Sequence, residues 1–299
     1  SDNMKDYLIK ALTCEERVRV YICSSTALVE EARQRFDMYP TSAAALGRVL
    51  SVGSMMGSML KSEKEQLTIR INGHGPIGTI LVDAYYDGHV RGFVSDPHIM
   101  LQYNDTGKLA VGMAVGNQGT LEVIKDLHMK ENWGGTVALQ SGEIGDDFAY
   151  YFTASEQTPS AVSVGVLVDT DNSIKAAGGM IIQMMPDAKE EDIVKIEQIV
   201  ANMKHISSYI LEKESLEAIL EELFGDDLQI LSKQDICFKC DCDKAKMKRA
   251  LTLSKEERMA MIEEDHGCEI TCNFCNERYQ FSEEELRDLE RFIDTYAKA

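Results

Sequence analysis

The chain has 299 residues, and its 31 Lys and Arg against 50 Asp and Glu give a formal net charge of −19 at pH 7. Because such a surplus of negative charge repels phosphate backbones, the sequence predicts no nucleic-acid partner. Hydrophobic residues make up an ordinary 44 %, and neither a membrane span nor an N-terminal signal core is visible. We therefore expect a cytoplasmic protein of about two domains without a membrane partner. Ser1-Asp2-Asn3 is typical of an expression remnant and is excluded from the predicted fold.

Residues 4–186 are predicted to form a mixed N-terminal domain. Alternating apolar and polar residues, as in Val18–Ile22, indicate strands, and the turn residues Asp87-Gly88 indicate a hairpin. The predicted strands lie near 18–22, 67–71, 79–84, 89–94, 121–124, 161–168 and 176–185, and the predicted helices near 27–36, 40–60 and 146–152. The strands come in runs and do not alternate one for one with helices, so the predicted fold class is α+β.

One glycine-rich stretch imitates a nucleotide-binding motif. Residues 73–78 spell G-x-G-x-x-G after a predicted strand. A dinucleotide site needs a helix to begin at this turn, but Thr79-Ile80-Leu81-Val82 follows and is rich in strand formers. Pro76 also removes one amide donor. The sequence therefore predicts a plain β-turn.

Residues 187–234 are interpreted as a helical linker. Two apolar faces at helical spacing are visible up to about residue 230. They consist of Ile193, Ile196, Ile199, Val200, Met203 and Ile206, and of Leu216, Ile219, Leu220, Leu223 and Phe224. The second helix begins at a capping Ser215 and ends before Gly225, so it spans only about 10 residues. Because such a short helix is marginal in water, we expect the linker to persist only while it is docked on another surface.

Residues 235–299 are predicted to form a small C-terminal domain. Six of the eight cysteines fall between Cys237 and Cys275, and capping boxes at residues 254–257 and 282–285 begin two helices. About 65 residues bury too small a core to be stable alone, so a domain of this size needs a bound metal or disulfides to stabilise it. A tight cysteine cluster without a signal peptide favours a metal over structural disulfides.

The cysteine spacing predicts a closed tetrahedral zinc site. Cys240-Asp241-Cys242 and Cys272-Asn273-Phe274-Cys275 form two close pairs of soft ligands. Cys237-x-x-Cys240 with the second pair is an equally ordinary set, and spacing mildly prefers Cys237 to Cys242. Cys268 and His266 are further candidates. Spacing alone does not separate these alternatives. The competing interpretation is that the cysteines form a cluster of reduced, inert thiols that binds no metal.

The sequence predicts that the protein is not an enzyme. No Ser-His-Asp or Cys-His grouping is visible, and the six histidines are scattered. The pair Cys272-x-x-Cys275 precedes a predicted strand at 276–281, whereas a catalytic dithiol sits at a helix N-terminus. Cys14 and Cys23 lie far from the cluster and are expected to be buried, inert thiols.

The free energy of zinc binding at such a site is large enough for loss of the metal to unfold a small domain. Structural zinc contributes about 10–16 kcal/mol of apparent binding free energy in small modules. Whole domains have only about 5–15 kcal/mol of net stability. Oxidation of the thiolates to disulfides removes the ligands, so the small domain and a linker docked near it can lose support.

Several motifs together resemble the bacterial 33 kDa chaperonin family, the redox-regulated heat-shock chaperones. The cysteine pattern C-x-C…C-x-x-C carries the resemblance first, read as Cys240, Cys242, Cys272 and Cys275. The N-terminal stretches that support it are residues 75–78, 116–121, 141–147, 155–159 and 177–180. The resemblance covers nearly the whole chain from Met4, including the order of its parts.

The resemblance implies an α+β domain, a helical linker and a zinc-binding redox domain. It implies that Cys240, Cys242, Cys272 and Cys275 bind zinc when reduced, and that oxidation forms the disulfides Cys240–Cys242 and Cys272–Cys275. It further implies zinc loss, linker unfolding, a homodimer in the active state and ATP-independent holding of unfolded client proteins. The competing hypothesis is a static zinc-ribbon adaptor that binds one folded partner.

Overall fold

The computed structural model describes residues 4–128, 130–251 and 253–297, so Ser1-Asp2-Asn3 lies outside the described residues. The chain divides into two compact units, Ser1–Lys239 and Cys240–Ala299. The linker segment, residues 187–234, is packed within the first unit. Within the described ranges no helix combines the length and the apolar character that crossing a bilayer requires.

The first unit contains eleven of the named strands and seven helices. In chain order they are β1 (Tyr7–Thr13), β2 (Val18–Ser24), α1 (Thr26–Phe36), α2 (Pro40–Gly57), β3 (Gln66–Asn72), β4 (Thr79–Tyr85), β5 (His89–Val94), α3 (Val111–Val115), β6 (Thr120–Asp126), β7 (Trp133–Ala138), α4 (Gly145–Ala154), β8 (Ser160–Val168), β9 (Ile174–Met184), α5 (Glu190–Asn202), α6 (Ile206–Glu212), α7 (Leu216–Phe224), β10 (Gln229–Asp235) and β11 (Cys237–Phe238).

The strands form two sheets around one buried helix. The first sheet has the order β10-β1-β2-β9-β8, and the second has the order β11-β5-β4-β3-β6-β7. All neighbouring strands are antiparallel except the short pair β11 and β5. Helix α2 contacts strands of both sheets. Its small side chains explain this position, because every residue from Thr41 to Gly57 except Arg48 is buried.

The glycine-rich stretch is the predicted turn between β3 and β4. No helix begins there, and the glycines allow two backbones to approach. A Cβ at Gly73 would lie 2.1 Å from the Gly116 carbonyl oxygen, and a Cβ at Gly75 would lie 2.4 Å from that of Ala114. The motif is therefore a packing contact with α3, which explains the glycines without a nucleotide.

Two details of the linker prediction are wrong. The first predicted helix is two helices, because the backbone of Met203 is extended and ends α5. Residues 229–235, expected in part to continue the helical linker, form strand β10 on the edge of the first sheet. Backbone pairing with β1 determines this strand, and its own sequence, QILSKQD, carries no strong alternation.

The second unit is a hairpin with short helices. It consists of α8 (Lys244–Met247), α9 (Lys255–Glu263), β12 (Gly267–Thr271), β13 (Arg278–Ser282) and α10 (Glu283–Ala297). Both predicted caps are present: the hydroxyl of Ser254 accepts from the amide of Glu257, and that of Ser282 from the amide of Glu285. Among the described residues of this unit, the buried apolar core consists of Leu251, Ile262, Phe281 and Leu286. So small a core supports the prediction that this unit needs a bound metal or disulfides to be stable.

Candidate metal centre and the docked linker

Two short stretches bring four cysteines together in the second unit. Cys240 and Cys242 precede α8, and Cys272 and Cys275 lie in the turn between β12 and β13. The turn is closed by two backbone hydrogen bonds of 2.8 Å, from the Cys272 amide to the Glu277 carbonyl and from the Asn276 amide to the Cys272 carbonyl. Asn276 adopts a left-handed conformation with φ 64°, which asparagine tolerates better than most residues.

The four sulfur atoms have the spacing of a tetrahedral metal site. They all lie within 4.8 Å of one another. The Sγ atoms of Cys240 and Cys272 are 3.8 Å apart, and those of Cys242 and Cys275 are 3.4 Å apart. A tetrahedral ion with metal–sulfur bonds of about 2.3 Å places its sulfurs about 3.8 Å apart. The group could therefore hold one metal ion.

Burial makes the thiols of Cys272 and Cys275 poor acids in the absence of a cation. Desolvation raises the pKa of Cys272 and of Cys275, and the neighbouring cysteines raise both further. Four thiolates at this spacing repel one another, so a bound cation must compensate their charge. The hydroxyl of Tyr279 lies 3.1 Å from the Cys242 sulfur and donates to it when that sulfur is a thiolate. Sequence reasoning missed Tyr279, because nothing but its place on β13 points to the site.

The remaining candidate ligands do not belong to this group. Cys237 lies on β11 in the first unit, where it pairs with His89 of β5. Cys268 packs against the small apolar core of the second unit, and His266 is exposed with its Nδ1 atom 3.4 Å from Glu283. Cys14 and Cys23 are buried as predicted, and burial raises both pKa values, that of Cys23 to about 12.

The linker segment covers one face of the first sheet. Its apolar side chains share a buried cluster with β1, β2 and β9. The linker members of the cluster are Ile196, Ile206, Tyr209, Ile210, Leu216, Ile219, Leu220 and Phe224. Ile199, Met203 and Leu223 pack against it at its margin, whereas Val200, predicted on the same face, is 40 % exposed. The docking that the short second helix requires is therefore present.

Tyr7 and Asp227 anchor the linker segment by polar contacts. The Tyr7 hydroxyl accepts from the Leu216 amide at 2.7 Å and donates to Glu217 at 2.8 Å, and desolvation raises its pKa to about 12. Asp227 Oδ2 accepts from the Cys14 amide at 2.9 Å and from Lys195 Nζ at 3.2 Å. These bonds join α7 and its following turn to β1.

A third anchor joins the first turn of α5 to the β1–β2 turn. Asp192 accepts from Arg17 Nε at 2.7 Å and Arg17 Nη2 at 3.0 Å, and from the Lys189 amide at 2.8 Å. Both side chains are largely buried. The Arg17 guanidinium holds the pKa of Asp192 well below its usual range. A depressed carboxyl pKa adds stability above the unfolded-state pKa of about 3.9, and that stability is lost as the pH falls further.

We expect Asp192→Asn to loosen the docking of α5 at neutral pH. The variant leaves the largely buried Arg17 without its charged partner, which is more costly than removing an exposed pair. Amide hydrogen exchange of α5 should be faster than in the wild type at pH 7, and the difference should begin to shrink as the pH falls below about 4 and decrease progressively at lower pH. Asp187→Asn, at an exposed position just before α5, is the matched control and should change nothing. Equal exchange in the two variants would contradict this role.

An α+β unit whose sheet is covered by a helical segment, followed by a small four-cysteine unit, defines the class of this protein. The model of the Hsp33 protein family matches residues 6–282. The chain is 49 % identical to the 33 kDa chaperonin of Oceanobacillus iheyensis, covering 96 % of this chain and 100 % of that relative. It is 47 % identical to the 33 kDa chaperonin of Bacillus subtilis, covering 95 % and 98 %.

A solved structure gives the same result. The crystal structure of the 33 kDa chaperonin (heat shock protein 33 homolog) of Thermotoga maritima matches with a TM-score of 0.90 at 37 % identity, covering 96 % of this chain and 98 % of that one. The chain therefore belongs to the Hsp33 protein family, which confirms the resemblance and the predicted α+β fold class. These relatives are named as chaperonins, which supports a role as a chaperone, and their names do not describe an enzyme.

Proposed function

We propose that this protein is a redox-regulated, ATP-independent holdase. When reduced, it binds one zinc ion through Cys240, Cys242, Cys272 and Cys275 and is inactive. Oxidation forms the disulfides Cys240–Cys242 and Cys272–Cys275 and releases the zinc. The linker segment then undocks, and the freed apolar surface holds unfolded client proteins.

The observation that carries this proposal is the burial of the linker's apolar faces on the first sheet. Leu216, Ile219 and Leu220 are fully buried there, although they belong to a helix of only nine residues. Such a helix does not persist undocked. Its release exposes apolar surface on both the linker and the sheet, and attraction to apolar surface is non-directional. A surface of this kind holds many unrelated unfolded chains without ATP.

Zinc is the metal that this donor set fits. Four thiolates at tetrahedral spacing are typical of a structural zinc site, which stabilises the fold when occupied. Each disulfide forms when two thiolates transfer two electrons to an oxidant such as peroxide, and the two sulfurs are then lost as ligands. Since structural zinc contributes as much free energy as a small unit has in total, the second unit then unfolds.

The surroundings of the protein fit such a switch. The cytoplasm keeps thiols reduced, so a resting form that depends on thiolates is stable there until oxidative stress. The net charge of −19 keeps a complex with an unfolded client soluble. We propose that the oxidised protein acts as a homodimer on unfolded clients and binds neither nucleic acid nor membranes.

Peptide mapping of the oxidised protein should find a disulfide within each cysteine pair, Cys240–Cys242 and Cys272–Cys275, and none between the two pairs. In the folded unit the short sulfur distances of 3.8 and 3.4 Å join Cys240 to Cys272 and Cys242 to Cys275, across the two stretches. The proposed Cys240–Cys242 bond requires a bent backbone, because an extended i,i+2 pair reaches the upper end of the Cα separation of about 4.4–6.8 Å that a disulfide allows. Its formation should therefore accompany local unfolding. A map of Cys240–Cys272 and Cys242–Cys275 would contradict the proposed pairing.

Zinc content and free-thiol count, measured together before and after peroxide treatment, test the switch. We expect one zinc per chain in the reduced protein, no zinc after oxidation, and a loss of four free thiols. Cys14 and Cys23 should remain reduced, since both are buried and lie in the first unit. Retention of zinc after oxidation would favour the static zinc-ribbon adaptor.

A further inference from the structure

Strand β10 occupies the edge of the first sheet with very little side-chain burial. It pairs with β1 from Tyr7–Asp235 to Leu12–Gln229, with an irregularity between Lys10 and Ala11. Six of its seven residues are exposed, including Ile230 at 40 % and Leu231 at 49 %. Its side-chain contacts are weak surface pairs, such as Lys233 with Glu217 at 3.6 Å. Backbone hydrogen bonds are therefore the main force that holds β10 in place.

The strand beneath β10 has the opposite character. Tyr7, Leu8, Ile9 and Ala11 of β1 are buried, and β1 is firmly paired with β2 on its other side. Without β10, β1 would become a seven-residue apolar edge strand with open amide and carbonyl groups. An edge of this kind is a template for pairing with another extended chain.

The upstream end of β10 is tied to an element that the proposed switch releases, and its downstream end continues into a short strand pair of the first unit. Upstream, Asp227 connects β1 to Lys195 of α5, which belongs to the linker segment. Downstream, only the two residues of β11 pair with β5 before the chain reaches Cys240. Undocking of the linker and unfolding of the second unit would leave β10 attached only by its own ladder and by the two-residue pair of β11 with β5.

We infer that the β1 edge is a client-binding site, which β10 occupies in the resting protein and an extended segment of an unfolded client occupies in the active one. The inference rests on the proposed function and specifies what part of a client is recognised. The exchange conserves hydrogen bonds, because the incoming strand makes the ladder that β10 gives up. Since β10 contributes almost no buried side chain, its replacement needs no particular sequence. Unfolded chains of any composition offer the backbone groups required.

Amide hydrogen exchange of β1 in three states tests this site. The states are the reduced protein, the oxidised protein alone, and the oxidised protein with carboxymethylated lactalbumin, a permanently unfolded client. We expect the β1 amides that face β10 to exchange at least about tenfold faster after oxidation, and to regain protection when the client binds. The amides of Val20–Cys23 in β2, central in the same sheet, are the internal control and should stay protected throughout.

The outcomes separate this inference from the proposed function. If the oxidised protein fails to bind the client at all, the proposed function is wrong. If it binds the client while the β1 amides remain exposed to exchange, the holdase stands and the edge site is rejected. Continued protection of β1 in the oxidised protein, or loss of protection in β2 as well, would also reject the edge site.

Discussion

Replacing Leu216 and Phe224 together with alanine is expected to make the reduced, zinc-bound protein partly active as a chaperone. Both side chains are buried where α7 docks on the first sheet. Loss of a buried leucine costs about 2–5 kcal/mol and loss of a buried phenylalanine about 3–5 kcal/mol. Their sum is comparable to the whole stability of a domain, about 5–15 kcal/mol. The linker should therefore undock without oxidation, and aggregation of a heat-denatured client should be suppressed by the reduced variant.

The linker itself offers the control for this experiment. Val194 and Leu211 are apolar linker residues that are 45 % and 47 % exposed. Their replacement by alanine also removes two apolar side chains from the linker segment, but it removes little buried contact. That double variant should stay inactive when reduced and become active on oxidation, like the wild type. Equal activity of the two reduced variants would show that docking through Leu216 and Phe224 does not restrain the protein.

Replacing Cys272 with serine is expected to abolish tight zinc binding. Cys272 is buried and supplies one of four sulfurs within 4.8 Å of one another, so no other described cysteine stands ready to replace it. Structural zinc contributes about 10–16 kcal/mol in small modules, whereas the four buried apolar side chains of this unit contribute about 1.5–3 kcal/mol each. The second unit should lose its fold, and zinc affinity in the wild type should fall at acid pH because thiolate ligands take up protons.

Cys268→Ser and Cys237→Ser are the matched controls. Cys268 lies on β12 in the same unit but packs against the apolar core, and Cys237 lies on β11 in the first unit. Both variants should keep one zinc per chain. Full zinc retention in Cys272→Ser, or zinc loss in Cys237→Ser, would move the assignment to the ligand set that spacing alone mildly preferred.

The sequence predicts those parts of the fold whose signals are local. Alternation predicts β2 and β3, the Asp87-Gly88 turn predicts the β4–β5 hairpin, and the capping serines 254 and 282 predict the starts of α9 and α10. Strands such as β1 and β10 were missed because each is defined by its partner: β1 is apolar on both faces, and β10 has no apolar face at all. Long-range backbone pairing leaves no periodicity in a short strand.

The candidate site divides in the same way. Spacing predicts two cysteine pairs but does not decide between Cys237 and Cys242, because that choice depends on where the chain turns after β11. The family resemblance supplied Cys242, and the structure brings its sulfur within the group of four. Tyr279 reaches Cys242 only because the β12–β13 hairpin folds back on itself. Such a contact has no signature in a single sequence.

Suppression of client aggregation by the reduced and the peroxide-oxidised protein, at equal concentration and without ATP, is the most direct test of the proposed switch. A heat-denatured client followed by light scattering provides the measurement. The account predicts strong suppression by the oxidised protein, little by the reduced protein, and return to the inactive level when thiols and zinc are restored. Equal suppression by both forms, or none by either, would contradict it.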